Sequence, residues 1–327
     1  MTLDGRPNLV VDGPRAPGTV LTLSHWPHSA TPKALARDLS AQIVFAYLVS
    51  KRRWPTAELV SNDHVDQDGL VSLFAITCPG LAVPRRGLLE DVASAGDFAV
   101  FSSRRAARIS FAIAGITQAV NAANQGSKPS PDSHAQNTAT TYAELLQRFP
   151  DLVDNPDKYL AWWREEDASY QSSIEALDAG EVQVEEVPAL DLAVVTVGEG
   201  FRAGLCTRFT AKSDWMVHPA AICNATRCLR VLVVKGRQYQ MRYRYESWVK
   251  LVTRKPLQRV DFGPLVDLLN SEESGTASWS FDAVGALEPL LRTAPGTESS
   301  LAPDRVGRLL KDHLGRAQPA WDPYSER

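Results

Sequence analysis

One short stretch of the chain concentrates residues that can do chemistry. Residues 61–72 read Ser-Asn-Asp-His-Val-Asp-Gln-Asp-Gly-Leu-Val-Ser, with His64, Asp66 and Asp68 at the centre and Gly69 just after them. In an extended turn alternate side chains point the same way, so these three can converge. An imidazole and two carboxylates suit Mn²⁺, Fe²⁺, Zn²⁺ or Mg²⁺, and the mixture of nitrogen and oxygen donors leans towards Mn²⁺. His64 and Asp68 are then the catalytic candidates beside a metal-activated water. Gly69 lets the chain turn sharply into a helix. A calcium loop fits less well, because the twelfth position counted from Asp66 is Thr77 and not a glutamate. A solvated acidic turn is the plain alternative.

Other clusters could complete such a site. His25 ends an apolar run, with His28 three residues on. A histidine at the end of a strand can bind a metal, or it can hydrogen-bond locally in a packed turn. Asp167, in Arg-Glu-Glu-Asp over 164–167, is a further metal candidate, although such a run usually marks a solvated helix face. In the second half, Arg242 and Arg244 alternate with tyrosines, which puts them on one face of a strand. Guanidinium forks suit phosphate or carboxylate, so both are substrate-binding candidates.

The surrounding elements must place these groups. Residues 9–11, 19–24 and 58–61 read as short strands. Thr31-Pro32 looks like a helix start leading to about Ser50, since Thr caps and Pro suits the first turn. Helices are expected over 69–77, 86–95 and 104–123, a polar loop over 124–140, and a broken helix over 142–178. Strands come next at 182–187, 192–197, 229–234 and 237–251. This order predicts an α/β fold. An N-terminal, mostly parallel sheet with flanking helices would fill 1–180 as the metal-site domain. A smaller α+β part over 181–327 would bear on substrate. The His64 turn falls past the carboxyl end of a strand, where open α/β sheets carry their sites.

The stretch His-Val-Asp-Gln-Asp-Gly at 64–69 resembles the first motif of the DHH phosphoesterase superfamily. It also looks like part of a family of uncharacterised bacterial proteins. The DHH resemblance covers about a dozen residues closely and the β-α order of the first half loosely. It implies a site for two divalent metals, usually manganese, and hydrolysis of phosphoanhydride or phosphodiester bonds. By that match His64, Asp66 and Asp68 are first-motif ligands. The next ligand would be an isolated aspartate, for which Asp97 is the nearest candidate. His218, before Pro-Ala-Ala, distantly resembles the histidine of the superfamily's glycine-rich accessory-domain motif, which implies substrate contact, but the glycines are missing and a lone histidine there is more often structural. The Asp-His-His triplet of the superfamily is absent from the chain.

Composition narrows the alternatives. In 327 residues, 35 Lys+Arg stand against 38 Asp+Glu, for a net charge of -3, which argues against bulk coating of nucleic acid. The charge is unevenly spread: 144–191 holds thirteen acidic and three basic residues, and 227–259 holds ten basic and one acidic. No apolar run reaches the ~18 residues of a membrane span, and no signal peptide is legible, so a cytoplasmic protein is expected. Four cysteines without a C-x-x-C pair suggest neither zinc nor a disulfide scaffold. Walker, dinucleotide-binding and G-x-S-x-G loops are absent. The expectation is a metal-dependent, phosphoesterase-like hydrolase of a small anionic substrate. A C–N or ester hydrolase, an iron oxygenase, or an inactive anion-binding protein are the alternatives.

Overall fold

Leu9, Val10 and Val11 form an unbroken aliphatic run, the pattern of a strand covered on both faces. The computed structural model, which describes residues 5–123, 131–206 and 216–325, places them at the middle of a sheet. There β1 (Asn8–Val11) lies between β2 (Thr19–Leu23) and β3 (Leu59–Ser61). Both neighbours run parallel to it, as expected. β1 is buried throughout, whereas Val20 of the flanking β2 is exposed.

In a parallel sheet all strands end on one edge, so residues just past β1, β2 and β3 are brought together. The connections after β2 and β3 carry α1 (Ser40–Leu48) and α2 (Gln67–Thr77). The short α3 (Pro79–Ala82) leads to α4 (Arg86–Asp97), α5 (Arg104–Ala123) and α6 (Pro131–Asp154). α2 packs on β1, β3, α1 and α4, and α5 packs against α4 and α6. α5 buries Ala106, Ile109, Ile113 and Ile116, the spacing of one helical face.

Two N-terminal expectations need correction. The first helix begins at Ser40, not Thr31. The Thr31 hydroxyl instead bonds the carbonyls of Thr22 (3.1 Å) and Ser24 (2.7 Å), tying the end of β2 rather than capping a helix. The expected loop over 124–140 is also revised: residues 131–140 form the first turns of α6, and 124–130 lie outside the described residues. Pro131 suits a first helical position. Thr138, Thr141, Leu145 and Phe149 then recur as a buried helical stripe, which outweighs the polar composition.

After α7 (Leu160–Asp178) come β4 (Val182–Val187), β5 (Leu192–Val197), α8 (Pro219–Ala225), β6 (Arg230–Lys235) and β7 (Gln238–Tyr243). The chain closes with β8 (Arg259–Val260), α9 (Gly263–Glu272), β9 (Trp279–Phe281), β10 (Leu290–Thr293), α10 (Pro303–Arg316) and β11 (Pro319–Trp321). The sheet order is β4-β5-β6-β7-β10-β9, with β5 and β6 parallel and the other neighbours antiparallel. Tyr239, Met241 and Tyr243 of β7 pack with Phe262, Leu265, Leu269 and Leu310 in one apolar core. The last strand expected over 237–251 ends at Tyr243, and the chain turns through Tyr245–Ser247.

The described chain divides into two compact units. One holds residues up to Ser169 with 205–206 and Leu251–Arg254; the other holds the remainder. The short return at 251–254 is held by Asp38, whose carboxylate accepts from the N–H groups of Val252 (2.6 Å) and Thr253 (3.1 Å). Among the described residues no helix is long and apolar enough to cross a membrane.

Candidate metal centre

The shared edge of the first sheet gathers three side chains. Asp12 directly follows β1, His25 lies two residues beyond β2, and His64 lies three beyond β3. The start of α2 adds Asp66 and Asp68, and the last residue of α4 adds Asp97. Asp12, Asp66, Asp68, Asp97 and His25 are all buried, and His64 is partly so.

Local structure explains how each is held. Asp66 caps α2, its Oδ1 accepting from the Gly69 N–H at 2.7 Å, the usual role of an aspartate there. A side chain at Gly69 would meet the Asn62 amide and the Tyr142 hydroxyl at 2.7 Å, so glycine is what permits the close turn. Asp68, in the first turn of α2, accepts from the N–H groups of Ser40 and Ala41, each at 2.7 Å. It thereby caps α1 from another helix. Asn62 bridges β1 and β3: its amide donates to the carbonyls of Val11 (3.2 Å) and Asp12 (3.0 Å), and its oxygen accepts from the His64 N–H (2.7 Å). Tyr142 of α6 donates to the His64 carbonyl at 2.6 Å.

Asp12 sits between the two histidines. Its Oδ1 is 3.5 Å from His25 Nε2 and accepts from Ser40 Oγ at 2.8 Å. Its Oδ2 is 3.4 Å from His64 Nε2, without the geometry of a hydrogen bond. Two donor sets result, Asp12–His25–Asp68 and Asp12–His64–Asp66, with ligand atoms inside each set within 4.8 Å of one another. Asp12 has φ +45°, a left-handed backbone that Asp tolerates better than most residues.

The remaining ring nitrogens are tied from behind. Nδ1 of His64 is 2.9 Å from Asp63 Oδ1, and Nδ1 of His25 is 2.6 Å from the Asp38 carbonyl. That carbonyl only accepts, so His25 carries its proton on Nδ1. Burial pulls the His25 pKa down against the pull of Asp12, favouring the neutral ring. Its Nε2 lone pair then faces Asp12 and Asp97 at 3.5 Å and Asp68 at 3.8 Å. Acceptors facing acceptors call for a proton or a cation between them. Ligands about 2.1 Å from a shared metal stand roughly 3.0–3.5 Å apart, so the spacing fits a metal with modest closure.

The electrostatics lead the same way. Burial raises the pKa values of Asp66, Asp68 and Asp97, and neighbouring carboxylates push each further up. Burial also opposes ionisation of Asp12, but His64, His25 and Ser40 outweigh it and hold its pKa low. His64 moves well above the ordinary histidine range, because Asp66, Asp12 and Asp63 overcome its burial. Four buried carboxylates around one imidazolium are short of positive charge, a deficit that divalent cations would fill. Oxygen and imidazole donors suit Mn²⁺, Fe²⁺, Zn²⁺ or Mg²⁺.

A family profile matches residues 2–325, nearly the whole chain. The chain belongs to DUF6687, a family of unknown function. No curated protein and no solved structure matches it. The match accords with an uncharacterised family and lends no support to DHH kinship.

In this DUF6687 chain the structure brings together His64, Asp66, Asp68, His25 and Asp97 among the residues the sequence singled out. It does not bring Asp167 to either donor set. Asp167 is instead ion-paired with Arg104 and Arg108, both on α5. His218, Arg242 and Arg244 belong to the other unit. His218 caps α8, its Nδ1 accepting from the Ala220 N–H at 3.2 Å, with its ring against Tyr170. Arg242 and Arg244 do not form an exposed basic face: both are buried. Arg242 donates to Gln240, while Arg244 lies past the strand, paired with Glu246 and donating to the Thr226 carbonyl.

Asp12 is the residue that sequence reasoning missed. Its signal is an aspartate directly after an aliphatic strand and before Gly13. Inside a turn-rich Asp-Gly-Pro segment, that aspartate reads as structural. Ser40 and Tyr142 carry no such signal, since their roles exist only in the fold.

Proposed function

We propose that the chain is a metal-dependent hydrolase of a small anionic substrate, with a phosphoester as substrate and Mn²⁺ as the favoured metal. One observation carries this reading: the two oxygens of Asp12 each face the Nε2 of a different histidine, and each histidine has its Nδ1 held from behind. A bridging carboxylate between two donor sets is what a two-metal site needs. A partner behind a ligating histidine fixes its ring and tautomer.

Divalent metal bound in these sets would supply hydroxide at neutral pH by lowering the pKa of a bound water. The chain's own part is positional. Asp66 and Asp68 hold the starts of α2 and α1, Asn62 locks the His64 turn to β1, and Asp63 orients the His64 ring. The likeness of residues 64–69 to the first DHH motif supports phosphoester chemistry, and we extend it to distant kinship with that superfamily. Asp12 and His25 would do part of what the absent Asp-His-His triplet does there.

The test is purified protein loaded with Mn²⁺, assayed against p-nitrophenyl phosphate, bis-p-nitrophenyl phosphate, pyrophosphate and nitrophenyl acetate. Mn²⁺-dependent cleavage of a phosphorus ester or anhydride is expected, lost in the His64→Ala, Asp66→Ala double variant together with bound metal. Unchanged metal content in that variant, or cleavage confined to the acetate, would overturn the reading.

A further inference from the structure

The metal-site reading leaves open what the rest of the substrate looks like, and a cavity beside His64 and Asp66 bears on it. This cavity, of about 370 Å³, is walled by those two residues and by α5 and α6. Its volume lies near the lower end of the roughly 300–1,000 Å³ typical of small-molecule sites, enough for one ring and a substituent. Its helical walls combine apolar surface, from Ile113 and Ala114, with uncharged hydrogen-bonding groups: Thr117, Gln118 and Asn121 from α5, and Asn137, Thr138 and Thr141 from α6. His134 adds an imidazole.

Three features define the ligand chemistry. Among the described residues the lining contains no Lys or Arg, so none of them recognises a second phosphate or a carboxylate by a full positive charge. Among the described residues it contains no Phe, Tyr or Trp, so these offer no platform on which a nucleobase would stack. Thr117, Gln118 and Thr138 spend none of their side-chain hydrogen-bonding capacity on other described residues. Hydroxyls and carboxamides both donate and accept. Their natural complement is a group that does the same at many points, such as a ring bearing several hydroxyls.

Building on the proposed metal site, we propose that this cavity holds the polyhydroxyl part of a sugar phosphate, with the phosphoryl group directed to His64 and Asp66. Specificity would come from Gln118, Thr117 and Thr138. A site built to hydrogen-bond hydroxyls rejects ligands lacking them, because its polar groups would be left unpaired.

The test is calorimetric binding to the full-length, Mn²⁺-loaded protein, with glucose 1-phosphate, adenosine monophosphate and inorganic phosphate as probes. Glucose 1-phosphate should bind at least ~10-fold tighter than inorganic phosphate and tighter than the nucleotide; two lost hydrogen bonds are worth about that much. Gln118→Leu, at an exposed position where folding is not at stake, should erase the margin over inorganic phosphate while Mn²⁺ affinity stays at the parent value. Equal affinity for glucose 1-phosphate and inorganic phosphate, tighter nucleotide binding, or a margin that survives Gln118→Leu would overturn the sugar assignment and leave the metal site standing. Failure of the parent protein to take up Mn²⁺, measured before any ester is added, would overturn both.

Discussion

Asp12→Gly is the most informative single substitution. Asp12 serves both donor sets, whereas His25 and His64 each serve one. Glycine adopts φ +45° freely, so the change removes the carboxylate without straining the backbone. A ligand at 100 times its Kd stabilises the folded state by about 2.7 kcal/mol per site. In a unit of this size, each site should raise the melting temperature by roughly 5–10 °C. The parent should therefore bind two Mn²⁺ and melt higher with Mn²⁺ than with chelator by the sum of both contributions. Asp12→Gly should lose both metals and the whole shift. His25→Ala and His64→Ala should each lose one metal and about half the shift. Elemental analysis after dialysis gives stoichiometry, and scanning calorimetry with and without Mn²⁺ gives the shift. If Asp12→Gly kept one metal, or if both histidine variants kept two, the shared-carboxylate geometry would not be how metal is held.

Two further outcomes test the electrostatics and the second unit. Asp66, Asp68 and Asp97 have folded-state pKa values raised above their unfolded ones, so metal-free folded protein holds more protons than unfolded protein above about pH 4. Metal-free stability should then fall as pH rises from about 4 towards the raised values, and Asp97→Asn should flatten that fall in urea titrations run at several pH values; an identical pH slope in parent and variant would contradict it. In the other unit, burial brings the Arg259 guanidinium down to about 9, and it donates to the carbonyls of Val284 (3.0 Å) and Leu287 (2.8 Å), to that of Ala286, and to Ser247 Oγ (2.9 Å). Arg259→Met leaves those acceptors unpaired and should cost more than about 3 kcal/mol in urea unfolding followed by tryptophan fluorescence, whereas an unchanged midpoint would show the guanidinium to be dispensable.

Much of the first unit was legible because its signals are local. An aliphatic run marks β1, and period-two spacing marks His64 and Asp66, whereas Asp68 already lies in the first turn of α2 and joins the other donor set. Gly69, expected at the turn into α2, lies inside its first turn, since the helix starts at Gln67. Where the reading failed, a tertiary contact decided against a local preference. Thr31-Pro32 is a sound helix start in isolation, but the Thr31 hydroxyl is more useful at the end of β2. The N-terminus of α1 is then capped by Asp68, 28 residues away from Ser40, and no window along the sequence can show that. Arg242 and Arg244 failed for a related reason. Period two gives the face of a strand but not whether that face meets water, and Arg244 lies beyond the strand altogether.

Asp12 shows what a sequence-first search should look for in such folds. A carboxylate immediately after the central strand of a parallel sheet can reach side chains that lie just past the strands on either side, because all three strands end on one edge. Here those side chains are His25 beyond β2 and His64 beyond β3, and their Nε2 atoms stand 3.5 and 3.4 Å from opposite oxygens of the same carboxylate. The left-handed backbone at Asp12 ordinarily carries a conformational cost for a non-glycine residue. That cost is intelligible if the carboxylate must point between two histidines rather than continue the strand. The bridging position thus comes from topology: in this sheet β1 is the strand with a neighbour on each side.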